Sequence, residues 1–427
     1  MLNIIGASLI FTTCFIFFVI GRPHRTIVAM LGAVLMVLFG SWRGFYDHQA
    51  AYLAIDYNTI GLLFGMMIIV GILRGTGFFR YLAIKGAKLA GGDPWKLLLI
   101  LGLTTAFVSM LIDNVTTILL IAPVTILVSD IIKINPRPVL LGEVLLSNLG
   151  GVGTLVGDPP NIMIGSASGF SFNSFIIHLM PVVLLAMGIA LLLFKVIYRK
   201  DLHSTSRRVE QIIEMDESRV IKDKPTLFKC ILALITVVVL FLLEEKLGLK
   251  SSFIALLGAV FTLIMVQPDV KKIFGEIEWP VLIFFASLFI MVGGVDKSGI
   301  LRLLGTGLGS LSSHPLEMSL LLIWISVVFS SLAGNIPYTA AMIPVVGHIA
   351  AGGFNPNPLW WGLALGAGFG ANGTPISSAA GVLIVEMSDK TRSPITFRNW
   401  FKSGTITTVV SAVLASLIFI FFFSWFN

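Results

Sequence analysis

Two stretches hold most of the residues in this chain that could do chemistry away from bulk water. From Leu111 to Ser166 the sequence reads LIDNVTTILLIAPVTI, a basic turn, then LLGEVLLSNLGGVGTLVGDPPNIMIGS. Carboxylates (Asp113, Asp158), amides (Asn114, Asn148, Asn161) and hydroxyls (Thr116, Thr117, Thr154) lie there inside otherwise apolar runs. A carboxylate can hold a cation or trade a proton. An amide offers both donor and acceptor. A second stretch carries Asn335, Thr339, Asn372, Thr374, Ser377 and Ser378 in a similar apolar setting. Glu143 is a further, weaker candidate carboxylate. His178 and His348 are expected to pack or to sit at interfaces.

Each stretch also contains residues that break a helix. Gly150, Gly153, Gly157, Pro159 and Pro160 interrupt the first, and Gly370, Gly373 and Pro375 the second. Two prolines remove N–H donors and glycines weaken a helix interior, so neither run continues as one regular helix. Lipid cannot hydrogen-bond a broken backbone, which must be buried in protein or line a watery cavity. Ionisable groups at such depth are functional candidates by default. Unwound backbone there frees carbonyls for cations and aims half-helix N-termini at electronegative groups. Asp113 and Asp158 are the expected proton- or cation-coupling residues. The amides and hydroxyls named above are the expected substrate contacts.

The elements that position these residues follow from composition. Of 427 residues, 56% are hydrophobic and 12% charged, against roughly 25% charged in soluble domains. Mean hydropathy is +0.96. The expected class is an all-α polytopic membrane protein, since long apolar runs replace the alternation of a β-barrel. The net charge of +7 is read as membrane topology rather than a basic surface for nucleic acid, which is not an expected partner. Cys14 and Cys230 lie in apolar runs and supply no disulfide or zinc framework; no metal site and no cofactor is expected. The N-terminal run reads as a first spanning helix and not a removed signal peptide.

Spans are expected near Asn3–Ile20, Thr26–Trp42, Asn58–Leu73, Val139–Ile164 and Phe175–Tyr198, then Thr226–Leu243, Phe253–Val266, Val281–Val295, a broken span near Pro375, and Gly404–Phe426. Paired arms, Leu97–Ile112 with Thr117–Ile132, meet at Asp113–Thr116, and a second pair surrounds Asn335. The segment Phe78–Pro94 suits an interfacial helix. GILRGTGFFRYL from Gly71 aligns with GGVDKSGILRLL from Gly293, AFVSMLIDNVTTILLIAP with VVFSSLAGNIPYTAAMIP, and Gly150, Gly157 and Pro159 with Gly366, Gly373 and Pro375. The three matches in one order imply an internal duplication: 1–198 and 226–427, each five transmembrane helices plus a re-entrant hairpin (about 97–132 and 317–350) and a helix broken at the midplane (about 139–164 and 358–387). An odd parity in each half makes the two inverted. With both termini outside and the linker 199–225 cytoplasmic, all but five of the 29 Lys and Arg fall at the cytoplasmic side, as the positive-inside rule requires. Broken helices in inverted repeats point to a transporter.

DNVTT followed by an apolar run and proline, with GDPPN on a glycine-broken span, resembles the ion transporter superfamily. Within it the chain resembles the ArsB/NhaD group of arsenite permeases, sodium/proton antiporters and the melanocyte P protein. The resemblance covers nearly the whole chain. It implies a scaffold bundle beside a transport bundle with two hairpins and two unwound helices, a homodimer by analogy, and in some arsenite permeases an ATPase subunit. This chain has no G-x-x-x-x-G-K-[ST] loop of its own. Dicarboxylate carriers share the fold but carry a Ser-Asn-Thr tip, where this chain has Asp113-Asn114-Val115 and Gly334-Asn335-Ile336. Neither motif offers a Lys or Arg to balance an anion. The expected function is export of arsenite or antimonite, as the neutral trihydroxide, against proton entry across the plasma (inner) membrane. Sodium/proton antiport is the alternative; a dicarboxylate/sodium carrier or a channel ranks below both. No H-E-x-x-H or G-x-S-x-G motif occurs, so an enzyme is not expected.

Overall fold

The computed structural model describes residues 1–202 and 220–427, which are helical with no strand among them. The expected linker 199–225 therefore lies outside the described residues over 203–219. The first half contains α1 (Leu2–Ile20), α2 (Arg25–Arg43), α3 (Tyr57–Gly75), α4 (Phe78–Ala90), α5 (Pro94–Ser109), α6 (Asn114–Ile132), α7 (Arg137–Val152), α8 (Pro159–Ser168) and α9 (Phe172–Ile197). The second contains α10 (Lys224–Leu242), α11 (Ser251–Val266), α12 (Trp279–Lys297), α13 (Ile300–Gly309), α14 (Pro315–Ala333), α15 (Asn335–Ala351), α16 (Pro356–Gly370), α17 (Ala379–Ser388) and α18 (Ile406–Phe421). Short helices His48–Ala54 and Val270–Glu276 precede α3 and α12.

Among the described residues, nine helices are long and apolar enough to cross a membrane. Their outward faces remain apolar: Leu2, Ile5 and Leu9 of α1, and Leu184, Leu185 and Leu192 of α9, are exposed. A soluble protein rarely leaves apolar patches of that extent uncovered. The chain is a multi-pass helical membrane protein.

Helix ends follow local rules. Asp93 caps α5 through the Trp95 and Lys96 N–H groups, and Gly21 and Gly44 close α1 and α2 in the left-handed region. The expected arms are present as α5 with α6 and α14 with α15. The broken spans open at 153–158, between α7 and α8, and at 371–378, between α16 and α17.

Packing partners recur through the two halves. α5 lies on α7 as α14 lies on α16, α3 on α11 as α12 on α2, and α4 on α6 as α13 on α15. Across the centre, α8 packs on α15 and α16, while α17 packs on α6 and α7. The closest approaches need glycine for space. A Cβ on Gly150 would sit 2.4 Å from the Ala106 carbonyl oxygen of α5, and one on Gly366 would sit 2.6 Å from that of Ile323 in α14.

One span differs from the sequence expectation. Gly404–Phe426 is not a single regular helix: Phe397–Trp400 is followed by a π-turn, Phe401–Thr405, before α18. The turn serves the neighbouring break. Trp400 Nε1 donates to the Asn372 carbonyl at 2.9 Å, and the Thr405 hydroxyl donates to that of Gly373 at 2.6 Å. A π-bulge at such a place matches the usual association of these features with functional sites.

Candidate functional site

Both hairpin tips and both breaks meet in the centre of the molecule. Asp113, Asn114, Asp158 and Asn335 line one cavity of about 30 Å³, together with Arg25 and Glu278. A second cavity of about 40 Å³ shares Asp113 and Glu278 with the first and is lined also by Arg74, Thr116 and Glu276.

The two aspartates differ in their bonding. Asp113 precedes α6 and caps it, accepting from the Thr116 N–H at 2.9 Å. Its side chain is half-buried, so capping leaves it on the cavity wall. Asp158 holds the capping position of α8 yet makes no capping bond. Its carboxylate instead accepts from Asn335 Nδ2, at 3.2 Å to Oδ2 and 3.4 Å to Oδ1. Asp158 is 1% exposed, and this bond ties the first broken span to the second hairpin.

The tips are built differently. Gly334 stands where the first tip has Asp113, and its φ of +90° with ψ of 138° is a conformation that favours glycine. The Asn335 N–H then donates to the Ser377 carbonyl at 3.0 Å, pinning the second tip to the second break. At the capping position of α17 stands Ser378, which accepts from the Gly381 N–H. The second break is the longer of the two, so Ser378 rather than Thr374 occupies the place that Asp158 holds in the first.

Most of the other candidate residues bond to one another or to backbone. Asn114 Nδ2 donates to Asn148 Oδ1 at 2.9 Å, and Asn148 Nδ2 donates to Asn372 Oδ1 at 2.8 Å and Ser378 Oγ at 3.1 Å. Asn372 Nδ2 reaches the Leu145 carbonyl at 3.0 Å. Asn161 Nδ2 serves the Val152 and Thr154 carbonyls, and the Thr154 hydroxyl donates to that of Met110. Ser377 Oγ donates to the Ala371 and Thr374 carbonyls; Thr374 Oγ1 donates to that of Ser331. Several backbone carbonyls at both breaks thus find side-chain donors within the protein, as depth in a membrane demands. Thr117 donates to the Asp113 carbonyl, and Thr116 approaches Glu278 Oε1 at 3.5 Å. Thr339 is fully buried with its hydroxyl unpartnered.

Gly153, Gly157, Gly370 and Gly373 keep negative φ. What they supply is space: a Cβ on Gly157 would meet the Ser109 carbonyl at 2.6 Å, and one on Gly373 the Ser331 hydroxyl at 2.0 Å. Pro159 and Pro160 open α8, and both are buried. Pro375 is half-buried within the second break.

Sequence reasoning missed Arg25 and Glu278. Both stand at helix starts, where charged residues read as topology signals. Arg25 is half-buried with its guanidinium 5.7 Å from the Phe284 ring centroid, a cation–π distance. The signal available was Glu278 standing directly before Trp279-Pro280 of a spanning helix. Among the described residues, no three His, Cys, Asp or Glu side chains converge as a metal-holding group.

Hairpins, broken helices and polar residues gathered at their crossing define a polytopic membrane transporter. The family described as CitMHS, citrate transporter, matches residues 15–366, and the chain belongs to it. The chain is 39% identical to the 46 kDa membrane protein of Mycobacterium leprae over 93% of each chain. It is 38% identical to an uncharacterized transporter of Mycobacterium tuberculosis over 96% of each. The human P protein is 30% identical over 92% of this chain, which spans 56% of that longer protein. In fold, the crystal structure of the Alcanivorax borkumensis YdaH transporter is similar, with a TM-score of 0.62 over 95% of this chain and 99% of that one, at 14% identity.

Proposed function

We propose that this transporter exchanges sodium for protons, with Asp113 and Asp158 as the groups that take up one or the other. The observation that carries the reading is the cavity lining: three carboxylates, Asp113, Asp158 and Glu278, face a single guanidinium, Arg25. A cavity of about 30 Å³ holds about two waters or a small ion, given that one water needs ~10–15 Å³. The three carboxylates share one cavity wall, which suits a site that sodium and protons occupy by turns.

Arsenite or antimonite export as the trihydroxide is the second reading, favoured by Asn114 and Asn335 on the same wall. It requires amides that are free to donate and accept, and Asn148, Asn372 and Ser378 bond to one another. The family's description as citrate transporters supports an anionic cargo. Against it stand the acidic lining and the small size of the cavity.

The recurring packing order supports a duplicated architecture, 1–198 and 226–427, in which the halves are inverted and the linker is cytoplasmic. On this reading the two hairpins enter from opposite sides and the cavity is reached alternately.

The test is proteoliposomes loaded with a pH-sensitive dye at acidic internal pH. External sodium should make the interior more alkaline, whereas arsenite and citrate should not. Proton movement that follows arsenite or citrate instead of sodium would overturn the sodium reading in favour of that cargo.

A further inference from the structure

One carboxyl has no place in the site described above. Glu143, in the middle of α7, is fully buried. Its Oε1 accepts from the Thr125 hydroxyl of α6, and its Oε2 has no partner. The surroundings are aliphatic: Leu140, Leu141 and Val144 on its own helix, with Ile121 and Val128 of α6 in the same apolar cluster.

No charge compensates it. On the elements packed against α7, Lys96, Asp130, Lys133, Lys195, Glu386 and Lys402 are all exposed. Asp113, His178 and the helix's own Arg137 are half-buried. The hydrogen bonds of Asp113 and His178 run to Thr116 and to the Ser174 carbonyl. α16 carries no titratable residue. A carboxylate with a bare oxygen in such a place is uncompensated, whereas the neutral acid, with its hydroxyl on Oε2, is far cheaper to bury.

Two more orphaned groups lie on the same seam. Ser129, one turn beyond Thr125, and Ser147, one turn beyond Glu143, are fully buried with unpartnered hydroxyls. Ser147 adjoins Asn148, whose Oδ1 accepts from Asn114, the neighbour of Asp113 in the chain. A hydroxyl both donates and accepts, so Ser147 offers a step from Glu143 toward the first hairpin tip, while Ser129 lies the other way, toward the turn between α6 and α7.

We infer that Glu143 is a second proton-binding station of the transport cycle, loaded in this conformation and unloaded when α6 and α7 shift relative to one another. The inference rests on the proton-exchange reading above. The proton taken up at Oε2 comes from water and is returned to it, so the carboxyl is regenerated each cycle. The bland alternative is a hydrogen-bonded clamp of α6 to α7 with no part in turnover.

Glu143→Gln separates the two, because glutamine keeps the shape and the acceptor for Thr125. In proteoliposomes the variant should assemble as a monodisperse protein yet lose at least tenfold in sodium-driven proton flux, with an altered pH profile. Infrared spectra at neutral pH should show a protonated-carboxyl band in the wild type that sodium perturbs and that Glu143→Gln removes. Wild-type flux and pH profile in Glu143→Gln would overturn the inference. Should that variant fail to fold, Thr125→Val keeps the carboxyl and removes its donor: a displaced pH profile supports the station, and an unmoved one overturns it. Absence of sodium-driven proton flux in the wild type would instead overturn the exchange reading. The infrared band then decides for Glu143, since its absence, or its failure to respond to any transported solute, removes the station.

Discussion

The amide of Asn335 donates to both carboxylate oxygens of Asp158, at 3.2 and 3.4 Å, joining residues from opposite halves of the chain at the cavity wall. This contact couples the second hairpin tip to the first broken helix. Any occupant that draws Asp158 toward itself must therefore loosen or move the second hairpin. On the exchange reading, this contact is what would pass an ionic event at Asp158 to the second hairpin, as coupling binding to a change of state requires.

Removing the charge of Asp158 tests its role as a carrier. Asp158→Asn preserves shape and an acceptor for Asn335, so the protein should purify with an unchanged elution profile. Exchange driven by a pH gradient in vesicles should be abolished. Wild-type flux in the variant would take Asp158 out of the mechanism.

Loss of the partner amide should weaken binding rather than turnover. Asn335 lines the cavity and its Nδ2 is held by Asp158, which leaves Oδ1 to meet the cation. Losing a contact to a charged group costs about 1.5–3 kcal/mol, so Asn335→Ala should raise the half-saturating sodium concentration by about tenfold or more. The check is the sodium dependence of initial rates; an unchanged value would place the cation elsewhere.

Glu278 and Arg25 set the balance of charge in the cavity. Glu278→Gln should reduce sodium affinity several-fold while leaving the fold intact. Arg25→Gln removes the one cation from the lining and should raise sodium affinity. Opposite signs for the two, measured by sodium-dependent thermal stabilisation, distinguish an electrostatic site from a packing defect.

Backbone geometry makes the second tip intolerant. At Gly334 any side chain meets φ of +90°, a cost on the order of 1–3 kcal/mol. Gly334→Asp, which copies the first tip in sequence, should therefore lower the melting temperature in detergent and not create a second coupling site.

Space rather than φ governs Gly150, where a methyl group would press on the Ala106 carbonyl at 2.4 Å. Gly150→Ala should destabilise by about 1–3 kcal/mol. Gly188→Ala, with nothing within 4 Å of the added carbon, should be neutral or stabilising by about 0.5–1 kcal/mol through helix propensity. Thermal unfolding of both variants in one detergent makes the comparison.

The breaks and tips were legible because proline, clustered glycine and isolated carboxylates conflict openly with an apolar helix. Asp113 and Asp158 stood out on those grounds. Partnership was not legible. That Asn148 spends its amide on Asn372 and Ser378 depends on how two distant breaks cross, and side-chain type alone does not encode this. Nor could the π-turn at Phe401–Thr405 be foreseen, since the bonds that flank it run to the Asn372 and Gly373 carbonyls of another element. Arg25 and Glu278 were hidden for a different reason: a charge at a helix start has an ordinary explanation in membrane topology, which masked a second role.

The most direct measurement is the internal pH of acid-loaded proteoliposomes after a sodium pulse, for the wild type beside Asp113→Asn. Sodium-dependent alkalinisation in the wild type, absent from the variant, is the predicted result. Equal alkalinisation in both, or none in the wild type while arsenite or citrate elicits it, would contradict the account.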